Sequence, residues 1–135
     1  METKKLKIII ERNADMYSGY AENDNAGIFA GGDSVEEVKR EIGYAIELLK
    51  EYNAPENIPE ILKGEYEITY QFDAESLLNY YKGIFTNAAL ERMTGINRKQ
   101  MQHYSSGHRK PRPETKRKIE NSLHKLGQEL MAIEL

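Results

Sequence analysis

The hydrophobic repeat of this chain changes at Asp73, and no other feature constrains its fold as strongly. Before that residue, apolar side chains recur every second position in several short runs, around one stretch with a three- and four-residue repeat. After it the helical repeat runs to the C-terminus. A period of two buries one face of a strand and a period of 3.6 buries one stripe of a helix. The expected fold class is therefore α+β, a sheet-bearing part followed by an all-helical part, and 135 residues leave room for two small cores. Charge divides at the same place. Residues 1–73 hold eight Lys/Arg against sixteen Asp/Glu, a formal −8, whereas residues 74–135 hold eleven against six, a formal +5; together they make the −3 of the whole chain. A basic surface concentrates nucleic acid and an acidic one repels it, so DNA or RNA is an expected partner of the second part only.

In the first part, Leu6, Ile8 and Ile10 alternate with Lys5 and Lys7 as a strand with one buried face. Met16 to Ala21 follows as a second strand. The turn chemistry of Glu22-Asn23-Asp24-Asn25-Ala26-Gly27 joins it to a third at Ile28-Phe29-Ala30. Gly31-Gly32-Asp33 breaks the strand, and Ser34-Val35-Glu36-Glu37 has the spacing at which Ser and Glu each satisfy a free amide at a helix start. From Val35 the residues Val38, Ile42, Ala45, Ile46, Leu49 and Tyr52 form one apolar stripe, expected to cover the sheet. Two prolines between Asn53 and Pro59 end this helix, and Tyr66, Ile68, Tyr70 and Phe72 alternate as a last strand. Residues 1–72 thus read as a βββαβ domain and residues 73–135 as a helical one, opened by Asp73 as a cap with Ala74, Leu77, Leu78 and Tyr81 on one side.

Within the basic part, Thr86 to Thr94 forms one helix, Gly95 permits a tight turn, and Asn97 to Ser106 forms a second helix capped by Asn97. Leu90, Ile96, Met101 and Tyr104 are spaced so that two crossed helices share a small core, the physical requirement of a helix-turn-helix. Arg98, Lys99, Gln102 and His103 then face away from Met101 and Tyr104, with the donors and acceptors that major-groove base edges require. The stretch Thr94–Ile119, TGINRKQMQHYSSGHRKPRPETKRKI, resembles the Cro/lambda-repressor family, through Gly95, Ile96, Met101, Tyr104, Gly107, Arg109, Pro111, Thr115 and Ile119, with Leu123 beyond. With its flanking helices the match covers about half the chain. Glu91 departs from the pattern, standing where that family usually carries a small residue at the helix crossing. The resemblance implies that Arg98, Lys99, Gln102 and His103 read bases while Asn87, Arg109 and Lys110 hold phosphate. Arg112, Lys116, Arg117 and Lys118 either track the nucleic-acid backbone or form the solvated face of the last helix, with the solvated face as the simpler reading. The stripe Ile119, Leu123, Leu126, Leu130 and Ile133 either completes the core or forms a dimer seam, with core as the simpler reading.

The acidic part has the order strand, Tyr17-Ser18-Gly19-Tyr20, a Gly27-containing hairpin, Gly32-Asp33-Ser34-x-Glu36-Glu37-Val38 and an apolar helix, and in this it resembles the N-terminal domain of HicB antitoxins. That resemblance implies a partial ribonuclease-H-like fold that blocks a small basic ribonuclease toxin, HicA, while the C-terminal domain represses the shared operon from operator DNA as a homodimer or higher oligomer. A second reading makes the chain a helix-turn-helix regulator whose acidic domain senses a ligand or only oligomerises. No enzyme is expected. Asp15, Asp24 and Asp33 fall at turns rather than on facing strand positions, and Ser105-Ser106 has no recognisable partnered base. Metals and cofactors are not expected either. Glu22, Asp24, Gly27 and Asp33 imitate part of a calcium loop, but Ala26 takes a ligand position; His103, His108 and His124 lack a zinc spacing. The absence of cysteine excludes disulfides and thiol catalysis, and with no secretory or membrane-spanning run the expected location is the cytoplasm, with no membrane partner.

Overall fold

The computed structural model describes residues 3–13, 15–22 and 27–135. In order they form β1 (Lys4–Asn13), β2 (Met16–Ala21), β3 (Phe29–Gly32), α1 (Val35–Glu51), β4 (Tyr66–Phe72), α2 (Ala74–Tyr80), α3 (Asn87–Thr94), α4 (Arg98–Ser105) and α5 (Pro113–Met131). Single 3-10 turns lie at Pro55–Asn57, Glu60–Leu62 and Tyr81–Gly83. The fold is α+β, a four-stranded mixed sheet followed by helices, and it divides into two compact units, Met1–Asp73 and Ala74–Leu135.

In the first unit the strand order is β3-β2-β1-β4, with β1–β2 and β2–β3 antiparallel and β1–β4 parallel. A parallel pair needs a crossover, and α1 supplies it. Ile8 stands opposite Ala21 on one side and Tyr70 on the other, and Ile10 opposite Gly19 and Phe72. Leu6, Ile8 and Ile10 are fully buried, as are Val35, Val38 and Ile42 of α1. Gly19 sets how closely α1 approaches the sheet, since a Cβ there would sit 2.7 Å from Val38 Cγ1. The helix start is built as its sequence implies: Ser34 accepts from the Glu37 amide at 3.1 Å, and the Glu37 carboxylate accepts from the Asp33 amide at 3.1 Å.

Tyr52 leaves the expected stripe. The helix ends at Glu51, so Tyr52 becomes the residue that caps its C-terminus and stands 75% exposed. Asp15 and Asp33 lie exposed at a turn and a bend. The expected hairpin turn at Asn23–Ala26, and with it the Asp24 and Ala26 positions of the calcium pattern, lies outside the described residues. The sheet face that carries Ile9, Tyr20 and Phe29 in cross-strand register is more open, with Phe29 68% exposed.

In the second unit α2 to α5 close over Leu78, Leu90, Met101 and Ile119, with Leu77, Phe85, Ile96, Tyr104 and Leu123 packed around them. Asn79 Nδ2 ties α2 to the end of α4, donating to the Ser105 carbonyl at 2.7 Å. The stripe of α5 does not all join this core. Ile119 is buried and Leu123 packs against it, but Leu130 and Ile133 are more than half exposed, and the helix stops at Met131 before Ile133 is reached. Among the described residues, no helix is long and apolar enough to cross a membrane.

Candidate nucleic-acid interface

Two helices of eight residues each are too short to hold their shape alone, so their ends decide the geometry. Thr86 caps α3, its hydroxyl accepting from the Ala89 amide at 3.0 Å. At the other end Gly95 takes the left-handed conformation, φ 77°, and its amide donates to the Glu91 carbonyl at 2.8 Å. Thr94 Oγ1 is buried there, donating to the Leu90 carbonyl at 2.7 Å and accepting from the Ile96 amide at 3.0 Å. Asn97 opens α4 by accepting from the Lys99 amide at 2.7 Å. Every turn of the chain between the helices is thus held by a side chain or a backbone bond.

The fully buried Met101 fixes the inner face of α4, and the helical repeat turns Arg98, Lys99 and Gln102 outward, where all three are exposed. His103 does not join them. It is half-buried, its Nδ1 is enclosed without a hydrogen-bond partner, and its ring meets the His108 ring edge-on at 5.0 Å. Its carbonyl accepts from the Arg109 amide at 3.1 Å, so His103 belongs to the base of the loop that carries Arg109 and Lys110. Those two cations are exposed, while the adjacent Pro111 is buried and anchors the loop. Asn87 begins α3 and its Nδ2 donates to Gln102 Oε1 at 2.9 Å, keeping one further N–H.

One turn further along α3, Glu91 makes three hydrogen bonds to a single residue across the turn. Its Oε2 accepts from the Arg98 amide at 2.9 Å, and its Oε1 accepts from Arg98 Nε at 3.2 Å and Nη2 at 3.0 Å. These bonds hold the Glu91 carboxyl below the usual glutamate range, the Arg98 backbone N–H contributing most, then the guanidinium hydrogen bonds, with the positive charge adding to them against slight burial. Positions 87 and 91 on α3, and 98 and 102 on α4, are each one helical turn apart, so Asn87–Gln102 and Glu91–Arg98 form two parallel rungs between the helices. Glu91 is out of pattern and Arg98 outward-facing in the sequence, but their local spacing alone does not join the two. The available signal was a pair of opposite charges flanking a Gly turn, seven residues apart.

Lys118, expected on or near the solvated face of the last helix, also reaches the turn between α3 and α4. Its Nζ lies 3.8 Å from where a Cβ on Gly95 would be. Among the described residues no group of three or more His, Asp or Glu side chains is placed to hold a metal ion, and His124 lies 4.0 Å from Glu120. What the surface offers is a short helix with Lys99, the Gln102 amide and the Glu91-paired Arg98 guanidinium on its outer side, next to a loop carrying Arg109 and Lys110. Comparison with known protein families, with curated proteins and with solved structures finds no match to this chain.

Proposed function

We propose that the chain is a HicB-like antitoxin that also represses its own operon. In this reading the second unit is a Cro/lambda-repressor-type helix-turn-helix that binds operator DNA. The first is a partial ribonuclease-H-like domain that covers a small basic ribonuclease toxin of the HicA kind. The observation that carries it is the outer face of α4, where Arg98, Lys99 and Gln102 stand exposed on a helix whose inner face is locked through Met101. A recognition helix must be rigid on one side and polar on the other, because base edges are read by donors and acceptors held at fixed positions. Arg109 and Lys110, just beyond the helix, supply the phosphate contacts that set its register, and Asn87 has an N–H left to add one. Pairing of two chains about a two-fold axis would carry two such helices to successive major grooves, about 34 Å apart, and the operator would be palindromic.

The acidic unit supports a protein partner in place of nucleic acid. Tyr44 and Leu48 of α1 and its capping residue Tyr52 form an exposed stripe with Glu47 and Glu51 beside it, and the unit carries a formal −8. Aromatic contact area set among carboxylates suits a basic protein surface, since complementary potentials speed encounter while apolar burial holds the complex.

The test is to coexpress the tagged chain with the reading frames beside its gene, and to measure both pull-down and gel shift on the upstream DNA. A small basic protein should copurify and its toxicity should be suppressed. The upstream duplex should shift, with an affinity that falls steeply as salt rises, the slope in log–log form being about −0.9 per phosphate contacted. Absence of any copurifying basic protein would remove the antitoxin half of the proposal, and a salt-independent or sequence-blind shift would remove the operator half.

A further inference from the structure

We infer that Glu91 is a specificity-determining positioning residue, holding Arg98 by one edge of its guanidinium so that the other edge is presented ready-aligned to a guanine. This rests on the DNA-binding reading of α4. A guanidinium has five N–H donors in a rigid plane. Glu91 Oε1 occupies Nε–H and one hydrogen of Nη2. The donors left over include the parallel pair formed by Nη1–H and the second Nη2–H at the end of the plane. That pair matches the O6 and N7 acceptors that guanine shows in the major groove, whereas adenine offers an acceptor beside a donor and cytosine a donor. The Arg98 side chain is 59% exposed despite the ion pair, so the outer edge is accessible.

Three consequences follow from the geometry. The third bond from Glu91, to the Arg98 backbone amide at 2.9 Å, fixes the carboxylate relative to the start of α4 as well as to the side chain, so the guanidinium has a defined direction relative to the helix. Much of the rotamer entropy that a free arginine loses on binding a base is already lost in the unbound protein. Neutralised by Glu91, the arginine is also a poor phosphate ligand, which discourages it from swinging to the DNA backbone, where it would carry no sequence information. A small residue at position 91 would leave Arg98 free to do just that.

The experiment selects binding sites for the full-length chain from a pool of random duplexes and measures affinity for the selected site and for its single-base variants. The wild type should select a guanine that R98A no longer distinguishes. E91A should lose about tenfold of the preference at that one position while binding unrelated duplex at least as tightly, with its salt slope steeper by about one. E91Q keeps an acceptor for the Arg98 amide and keeps the helices joined, so it carries the same test if E91A unfolds; it should fall between E91A and wild type. E91A/R98A should discriminate no worse than R98A alone. A merely structural role for Glu91 would instead weaken all sequences together and blur every position. Undiminished guanine preference in both E91A and E91Q, or a preference that improves, would overturn this inference alone. Failure of the wild type to select any sequence would overturn the DNA-binding reading and this inference with it.

Discussion

Among the described residues the first unit buries eleven apolar side chains, nine of them on β1, β2, β3 and the 17-residue α1, whereas the second closes its core over four, Leu78, Leu90, Met101 and Ile119. Layered packing of that kind ties each residue to several neighbours of distant sequence, and it tolerates the loss of a cap or a turn residue. The second unit has much less apolar area per residue to draw on. Its α2, α3 and α4 have seven, eight and eight residues, and their shape comes from end-chemistry as much as from the core: Thr86, Thr94, Gly95 and Asn97 each close one gap in the backbone bonding of α3 and α4. A unit built in that way can leave almost all of one helix face polar, which is the property a reader of base edges needs.

The contrast is most directly broken at Met101. This side chain is fully buried at the meeting point of four helices, and Met101→Ala should cost about 2–5 kcal/mol. Spread over so small a core, that loss should unfold the second unit while the first keeps its sheet. Hydrogen exchange on the intact chain should report amides of α3 and α4 at the rate of free peptide with β1 and α1 still protected. Collapse of both sets together would show that the units do not keep separate stabilities. The matching test in the first unit is Gly19→Ala, where the new Cβ would meet Val38 Cγ1 at 2.7 Å and Ile10 Cδ1 at 3.2 Å. Overpacking should cost about 1–3 kcal/mol and lower the melting transition without abolishing it, because α1 can lift slightly from the sheet.

The same contrast decides what could be read in advance. The Ser34–Glu37 start of α1, the alternation of β1 and β4, and Gly95 between two short helices are local matters of spacing and backbone chemistry, and they stand in the sequence as plainly as in the structure. Parallel pairing of β1 with β4 is not local; alternation gives a strand its faces but not its neighbour. Tyr52 continued the apolar repeat of α1, yet Pro55 follows so closely that the helix stops first, and Leu130 and Ile133 continued the repeat of α5 beyond the helices it packs on. At the candidate interface the residue types were legible and their partners were not. His103 reads as outward-facing from its position in α4, but the loop returning through His108 and Arg109 encloses one side of it. The Glu91–Arg98 link depends on how α3 and α4 cross, a quantity fixed by tertiary packing.

Smaller effects sharpen the comparison at the helix ends. Asn97→Ala removes the acceptor for the Lys99 amide and should cost about 1 kcal/mol, seen as a modest shift in the denaturation midpoint of the second unit alone. Asn97→Asp, which keeps an acceptor, should restore most of it.

The least disruptive perturbation is pH, and it should act on the two units from opposite ends of the scale. Glu91 is held below the usual glutamate range by Arg98. A depressed carboxyl contributes stability that is fully present above its unfolded value and is lost as pH falls through the folded value, so acid should loosen the α3–α4 crossing of the second unit. In the first unit the shifted groups are tyrosines: Tyr20 is raised chiefly by donating to the Glu11 carboxylate at 3.0 Å, with slight burial and the Glu11 charge adding to it, and Tyr70 is raised by burial. A raised tyrosine keeps its contribution below its unfolded value and loses it as pH rises through the folded one. Glu91 and Tyr20 are both open enough to solvent that each effect should be slight and shrink with added salt. Carbon-detected titration of the intact chain should place the Glu91 midpoint below that of an ordinary glutamate in wild type and raise it only part of the way back in R98A, which removes the guanidinium bonds and charge but keeps the backbone N–H. An ordinary midpoint in the wild type would mean that Arg98 is not held in solution, and the contrast between a unit kept by its layers and one kept by its polar ties would fail at the Glu91–Arg98 tie, on which the proposed reading of bases depends.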